Sequence, residues 1–191
     1  LPDVELYGGF GGTETNRNDP RRYILETIIE RPHRDEAEEY HYDYAYLIQM
    51  YGGSLIDGFN IMADYNYNID PDRYDKRPWA GGIYGLPSEG RGITIRNCYL
   101  HNFREYAIAA YNPDCPNSVV INTAFSYLRY APVEDLGAGS MFINCSFYNV
   151  GHWDIRGRNY YLYNCAFDDS VHEGSRKNHG IHITGDSDEF N

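Results

Sequence analysis

The feature that most restricts the fold is a short motif repeated along the second half of the chain. Its four copies, of the form apolar-x-Asn-x-x-apolar, centre on Asn97, Asn122, Asn144 and Asn164, at intervals of 25, 22 and 20 residues. An earlier segment, 56–61, has glycine at the asparagine position. A chain that repeats a unit of this length forms a stack in which each unit packs on the one before it.

Apolar residues alternate with other residues on both sides of each asparagine. Two positions before it stand Ile95, Val120, Phe142 and Leu162, and three positions after it stand Leu100, Phe125, Phe147 and Phe167. This alternation is typical of β-strands with one buried face. Asn and Gly adopt the left-handed conformation of a bend most easily. The motif therefore predicts a strand, a bend and a second strand.

A third strand is predicted in each repeat. Eleven residues after the asparagine another apolar residue recurs, at Ile108, Val133 and Ile155, and at Ile181 or Ile183 after an insertion in the last copy. Three short strands in every 20 to 25 residues are the pattern of a solenoid. Segments 30–54 and 63–92 lack this pattern, so we predict loop insertions there.

The order of these motifs resembles the right-handed parallel β-helix proteins of the pectate-lyase-like superfamily, especially their bacterial secreted and cell-surface members. The resemblance covers nearly the whole chain and rests on the segments 6–15, 26–29, 55–61 and 81–84 and on the repeated Ile-x-Asn-Cys-x-Phe motif. It implies one all-β domain over residues 1–191, a right-handed parallel β-helix with three short strands per turn, secreted or at the cell surface. Because this fold hosts lyases, hydrolases, tailspikes, adhesins and coats, it implies no single activity.

The net charge of the chain restricts the classes of molecule that it can bind. Sixteen Lys and Arg residues against 28 Asp and Glu residues give a net charge of −12, which argues against a nucleic-acid partner and favours cations or neutral sugars. No apolar run reaches the roughly 18 to 20 residues that cross a bilayer. The patterning already begins near Leu1 and continues close to Asn191, so we expect the domain to belong to a longer chain.

A row of ionisable residues supplies an enzymatic hypothesis. Twelve residues after the asparagines stand Ala109, Glu134 and Arg156; His182 continues the row, and Asp154 lies two positions before Arg156. Aligned turns would bring Glu134, Arg156 and His182 onto one sheet face. A polysaccharide lyase needs a cation and a basic residue, and a glycoside hydrolase needs two carboxylates. Opposite charges on neighbouring strands also form a purely structural salt-bridge ladder.

Five oxygen-bearing side chains alternate in one predicted loop: Asp64, Asn66, Asn68, Asp70 and Asp72. Calcium binds 6 to 8 oxygen ligands, so the spacing is compatible with a calcium site. The loop lacks the glycine and the distal glutamate of an EF-hand, and Asp and Asn side chains also bond to their own turns without metal. The sequence requires no cofactor, and both alternatives, a calcium site and a loop without metal, remain open.

Tyrosine is unusually frequent, with 20 copies among 191 residues. A core of this size cannot bury so many with every hydroxyl hydrogen-bonded. The residues concerned are Tyr40, Tyr42, Tyr44 and Tyr46, which alternate, and Tyr65, Tyr67, Tyr74 and Trp79, which crowd a second segment. Such rings suit contact with glycans or other proteins, and they equally suit covering the edge of the solenoid.

Three cysteines, Cys98, Cys145 and Cys165, share the position after the asparagine. Because turns stack about 4.8 Å apart, Cys145 and Cys165 are expected to be neighbours. Two alternatives follow: a ladder of reduced thiols that pack as small hydrophobic groups, or one disulfide.

Three functions remain open at this point. We favour a secreted or cell-surface structural and adhesive module that binds glycans or neighbouring subunits through its Tyr-rich loops. The second is a polysaccharide lyase or glycoside hydrolase acting on an acidic polysaccharide. The third is a subunit of an extracellular filament or coat, which would join open strand edges end to end, as a homo-oligomer.

Overall fold

The computed structural model describes residues 3–9, 27–30, 45–63, 80–86, 90–103, 105–110, 115–128, 131–150, 155–157, 159–168 and 182–183. These residues contain eighteen β-strands. In the part of the chain so described, no helix is long and apolar enough to cross a membrane.

Each successive group of three strands makes one turn of a solenoid. The first two turns consist of β1 (Glu5–Tyr7), β2 (Thr27–Glu30), β3 (Ala45–Tyr51), β4 (Leu55–Asp57), β5 (Phe59–Met62) and β6 (Ala80–Leu86). The next two consist of β7 (Thr94–Arg96), β8 (Tyr99–His101), β9 (Ile108–Ala109), β10 (Val119–Ile121), β11 (Ala124–Leu128) and β12 (Val133–Glu134). The last two consist of β13 (Met141–Ile143), β14 (Ser146–Val150), β15 (Ile155–Gly157), β16 (Tyr161–Tyr163), β17 (Ala166–Asp168) and β18 (His182–Ile183).

Strands at the same place in every turn pair side by side and form three six-stranded sheets. The first sheet has the order β1-β4-β7-β10-β13-β16, the second β2-β5-β8-β11-β14-β17 and the third β3-β6-β9-β12-β15-β18. The pairs are parallel, for example β10 with β13, β11 with β14 and β12 with β15. The predicted parallel β-helix with three strands per turn is confirmed.

The extent of the predicted insertions needs correction. Segments 30–54 and 63–92 contain β3 and β6, which are the third strands of the first two turns. Ile48 of β3 pairs with Ile83 of β6, and Ile83 pairs with Ile108 of β9. More residues separate the second strand from the third in these two turns than in the next three, so the repeat is hidden from the sequence pattern.

Apolar residues from the strands of the central turns fill the interior. Ile95, Val120 and Phe142 are fully buried in the first sheet, and Ile83, Ile108 and Val133 are fully buried in the third. In the second sheet the rings of Phe125, Phe147 and Phe167 stack on one another, with centroids 4.9 and 4.8 Å apart and interplanar angles of 1° and 4°. The ring spacing matches the spacing of hydrogen-bonded strands, about 4.8 Å, so the core repeats at the period of the backbone.

The bend between the first and second sheets is left-handed, as the motif predicts. Asn97, Asn122, Asn144 and Asn164 have φ angles of 53°, 48°, 53° and 52°, and Gly58 has φ 82° in the same position one turn earlier. The side-chain amide of each asparagine donates to the side-chain oxygen one turn before it. Asn122 donates to Asn97 at 3.1 Å, Asn144 to Asn122 at 3.1 Å and Asn164 to Asn144 at 2.8 Å. We call this row the asparagine ladder.

The ladder ends on a carboxylate. Asn97 donates from Nδ2 to Oδ1 of Asp57 at 2.8 Å, and Arg96 donates from Nε to Oδ2 of the same residue at 2.8 Å. Asp57 is fully buried, whereas the Arg96 side chain is 35% exposed. Hydrogen bonds to an ionised group are about twice as strong as neutral ones. Asp57 therefore anchors the ladder and satisfies its own buried charge.

Cys98, Cys145 and Cys165 form no disulfide, so the structure has the ladder of reduced thiols rather than the disulfide alternative. Cys98 and Cys145 are buried, and Cys165 is half-buried. Burial is the main cause that raises the pKa of Cys98 to about 11 and that of Cys145 to about 12. These thiols are therefore protonated and pack as apolar groups.

Two substitutions at Asn144 separate the ladder from the bend. Asn144→Gly and Asn144→Ala both remove one donated and one accepted hydrogen bond, each worth about 0.5–1.5 kcal/mol. Alanine in addition must hold a left-handed backbone, which costs about 1–2 kcal/mol. In urea denaturation we expect both to lose stability, Asn144→Ala by about 1 kcal/mol more. Ser146→Ala in the same turn is the control; equal losses for the two Asn144 variants would contradict the role of the bend.

Alkylation tests the thiols. At about pH 8 we expect Cys98 and Cys145 of the folded chain to resist iodoacetamide, since both are protonated and inaccessible, whereas Cys165 reacts. Because the folded-state pKa values lie above the ordinary 9.0, thiolate formation favours unfolding. The stabilising effect of the neutral thiols is complete below that value and is lost as the pH rises to about 11 to 12. Mass spectrometry of labelled peptides reads out each site; labelling of Cys145 as fast as in urea would contradict its burial.

Candidate functional site

The predicted ionisable row lies in register across the third sheet. Glu134 pairs with Ala109 on one side and with Arg156 on the other, and Arg156 pairs with His182. The backbone positions of Glu134, Arg156 and His182 therefore occupy three neighbouring strands, one after another. We call these positions the Glu134 row.

Glu134 lies on the outer side of the third sheet, yet it is buried. Its strand neighbour Val133 points into the core, so Glu134 points away from it. Glu134 is 6% exposed and Ala109, beside it, 1%. A second apolar cluster lies on this side: Tyr106, Ala109 and Ala131, with Tyr46 and Tyr84 packed against it. The carboxylate therefore has apolar and aromatic groups around it.

Small residues make room for these tyrosines. A Cβ on Gly81 would collide with the Tyr46 ring, so only glycine lets that ring lie against the sheet. The rings of Tyr46 and Tyr84 are 4.9 Å apart and tilted by 31°. Tyr46 is the last member of the predicted alternating series. Its ring covers the sheet, as expected if these tyrosines cover the solenoid rather than bind a glycan.

The charge of Glu134 acts on a nearby buried tyrosine, Tyr160. The hydroxyl oxygen of Tyr160 accepts a hydrogen bond from the Leu136 amide at 2.8 Å. Burial first, and then the negative charges of Asp135 and Glu134, raise the pKa of Tyr160 above its ordinary value. The Glu134 side chain is itself 6% exposed, so its carboxyl group is poorly solvated.

The remaining predicted site residues lie outside the described residues. These are Asp154, Tyr40, Tyr42, Tyr44, Tyr65, Tyr67, Tyr74, Trp79, Asp64, Asn66, Asn68, Asp70 and Asp72. The calcium site and the Tyr-rich loops therefore stay predictions. Among the side chains that the structure does describe, no group of three or more His, Cys, Asp and Glu could hold a metal ion.

A different cluster occupies the outer side of the second sheet. Tyr99 and His101 alternate along β8, and their rings stack with centroids 4.2 Å apart and an interplanar angle of 16°. His101, Ser126 and Tyr148 pair in succession across β8, β11 and β14. We call this cluster the aromatic face; its members are Asn60, Tyr99, His101, Ser126, Tyr127 and Tyr148.

Hydrogen bonds hold the rings of the aromatic face in place. Nε2 of His101 lies 2.8 Å from Oδ1 of Asn60, one strand away; because that oxygen only accepts, Nε2 is the donor. The hydroxyl of Tyr99 lies 2.6 Å from Oγ of Ser126 in the next turn. The Tyr99 and His101 rings are thereby fixed before any ligand arrives, which reduces the entropy lost on binding.

Tyr127 is the strained member of the aromatic face. Its φ angle is 52°, a conformation that a bulky residue rarely adopts. Asn102 occupies the same place one turn earlier, after His101, with φ 60°. The Tyr127 ring is 38% exposed and meets the 47%-exposed Tyr148 edge to face, with centroids 5.9 Å apart. A tyrosine has therefore been placed where asparagine is sterically favoured, and it presents its ring to solvent.

Sequence reasoning missed the aromatic face because its members are scattered along the chain. The signal was present in the repeat: positions two and four after each asparagine are the outward positions of the second strand. They hold Tyr99 and His101 after Asn97, and Ser146 and Tyr148 after Asn144. Aligned on the asparagines, the second of these columns reads His101, Ser126 and Tyr148, the three residues that pair in succession across the sheet.

The fold and these faces define a parallel β-helix protein. No protein-family model matches the sequence, and no curated protein does. Among solved structures, the chain is similar to the enzymatically active domain of tailspike protein 2 of bacteriophage CBA120, with a TM-score of 0.53 and 11% sequence identity. The match covers 64% of this chain and 20% of that one, so the chain spans about a fifth of the tailspike structure. At this identity the likeness concerns the fold alone.

The strain at Tyr127 can be measured. Tyr127→Ala and Tyr127→Asn both remove the ring contact with Tyr148, but only asparagine adopts the left-handed conformation cheaply. We therefore expect the Asn variant to be more stable than the Ala variant by about 1 kcal/mol. Thermal unfolding of both checks this; identical melting temperatures would show that the backbone at this position is not strained.

Proposed function

We propose that this chain is a structural and adhesive β-helix module, secreted or displayed at a cell surface, that binds a neutral glycan on its aromatic face. The observation that carries the proposal is the exposed pair of Tyr127 and Tyr148. Strained conformations persist where function favours them, and here the strain serves to expose an aromatic ring. We therefore propose a glycan site on the second sheet, in addition to the Tyr-rich loops suggested by the sequence.

The chemistry of the aromatic face suits a sugar. A pyranose presents an apolar C–H face and a rim of hydroxyls. Tyr127 and Tyr148 offer ring surface for the first. The exposed hydroxyl-bearing side chain of Tyr148 and the polar side chains of Asn60 and His101 lie on the same sheet for the second. Few polar groups beside apolar rings are the usual composition of a small-molecule site.

Charge favours an uncharged ligand. The net charge of the chain is −12, so an anionic polysaccharide meets long-range repulsion whereas a neutral one does not. The secreted or surface location is part of the same proposal and rests on the resemblance of the repeated motifs to secreted and cell-surface β-helix proteins.

Calorimetry with a panel of neutral and anionic polysaccharides tests the glycan site. We expect the chain to bind a neutral member and Tyr148→Ala to weaken binding about tenfold, the equivalent of about 1.4 kcal/mol. Tyr51→Ala is the matched control, since Tyr51 is 39% exposed but lies on the third sheet. Equal affinities for Tyr148→Ala and the parent chain, or binding to anionic polysaccharides alone, would overturn the proposal.

A second candidate is cleavage of a polysaccharide at the Glu134 row. The observation that favours it is the burial of the Glu134 carboxylate, with Arg156 at the paired position one strand away and His182 two strands away. Recording newly formed chain ends in the same incubations distinguishes the two functions. Chain ends that disappear with Glu134→Gln but persist with Tyr51→Ala would support cleavage, whereas binding without new ends supports the adhesive role.

A further inference from the structure

The second sheet contains one residue that can carry a positive charge, His101. Its six strands, β2, β5, β8, β11, β14 and β17, contain no Lys and no Arg, and β8 supplies their one histidine. His101 lies within the aromatic face, between Met62 of β5 and Ser126 of β11. The presence of a cationic group on these strands therefore depends on the protonation of a single imidazole.

The groups next to His101 leave this protonation to the imidazole alone. Tyr99 stacks on it from the same strand. In the two adjoining strands its neighbours are Asn60, Met62 and Ser126, whose side chains do not titrate. Histidine is the one side-chain type that ordinarily changes its charge between about pH 5 and pH 8. A change of charge at this place on the sheet is therefore a change of charge on His101.

Carboxylates occupy the two ends of the row to which His101 belongs. Glu30 pairs with Met62, two strands from His101. Asp168 pairs with Tyr148, three strands from His101 on the other side. At about 4.8 Å per strand these positions lie about 10 Å and about 14 Å away, beyond the screening length of about 8 Å at physiological salt. A charge on His101 therefore keeps most of its attraction for a bound anion.

Protonation of His101 leaves its ring in place. Nε2 already donates to Oδ1 of Asn60 at 2.8 Å, so the added proton goes to Nδ1 and this hydrogen bond is kept. A hydrogen bond from a charged donor is about twice as strong as a neutral one. The ring of Tyr99, 4.2 Å away and tilted by only 16°, attracts a cation through its face. The aromatic face therefore holds an imidazolium in the position of the neutral imidazole.

We propose that His101 determines which class of glycan the aromatic face binds: neutral glycans alone while the imidazole is neutral, and also an acidic, sulfate- or carboxylate-bearing polysaccharide once it is protonated. This inference rests on the proposed function, because it concerns the same site. An imidazole ordinarily titrates near about pH 6.5. The acidic polysaccharide is therefore bound below about that pH and released as the pH rises through it.

Calorimetry with dextran sulfate at about pH 7.5 and about pH 5.5 tests the role of His101, because the charge of a sulfate ester is constant over this range. Acidification also protonates the other six of the seven histidines, which reduces the net charge of −12 and the general repulsion. His101→Gln keeps those six and retains a donor for Asn60. We expect the affinity of the parent chain to rise at least about fivefold more than that of His101→Gln, as one exposed ion pair gives. Equal gains for the two chains would overturn the proposal.

A permanent charge at the same position provides the converse test. The guanidinium of His101→Arg is planar, stacks on aromatic rings and stays charged at both pH values. We expect this variant to bind dextran sulfate at about pH 7.5, and to gain no more on acidification than His101→Gln does. An Arg variant that requires acid as the parent chain does would contradict the role of charge at this position. Circular dichroism confirms that each variant is folded.

The two pH values also separate this inference from the proposed function. Binding of a neutral glycan by the parent chain at about pH 7.5, without the gain for dextran sulfate that depends on His101, would overturn the inference alone. The gain without any binding of a neutral glycan would support the role of His101 and overturn the neutral glycan as the ligand.

Discussion

The left-handed bend between the first and second sheets is the constraint on which the rest of this molecule depends. An asparagine or glycine at that point turns the chain within one residue, so the strands on either side can belong to different sheets and still send their central side chains into one core. The amide of each asparagine then bonds to the turn before it, as in the bonds from Asn144 to Asn122 and from Asn164 to Asn144. One residue type thus sets both the cross-section and the stacking.

Once the bend and the register are fixed, the outward-facing residues of each sheet form a surface of their own. These residues can vary without disturbing the core. The three sheets differ in this respect. The first carries the apolar side chains of β10, β13 and β16, the second carries the aromatic face with its Tyr99 and His101 stack, and the third buries Glu134 beside Ala109. A binding surface on one side of this scaffold can therefore vary while the other sides and the core stay unchanged.

The sequence was sufficient for the fold and insufficient for the site, and the reason is physical. Asn97, Asn122, Asn144 and Asn164 identify the bend because few residues tolerate it, and the apolar period follows from burial. Strand β3 was missed since its repeat is interrupted by a long intervening segment. Outer positions have no burial requirement, so no local sequence pattern distinguishes a residue such as Tyr148. Only the strand register, which aligns it with Ser126 and His101, shows that it belongs to the aromatic face.

The asparagine ladder also has a direction. Every amide donates toward the preceding turn, and the series ends at the carboxylate of Asp57 in the second turn. A newly formed turn therefore finds its acceptor already in place, while an isolated later turn has a donor with nothing to bond. Ribosomal synthesis delivers the turns in this same order, amino end first. The solenoid is thus suited to fold vectorially during translation, each completed coil templating the one that emerges next.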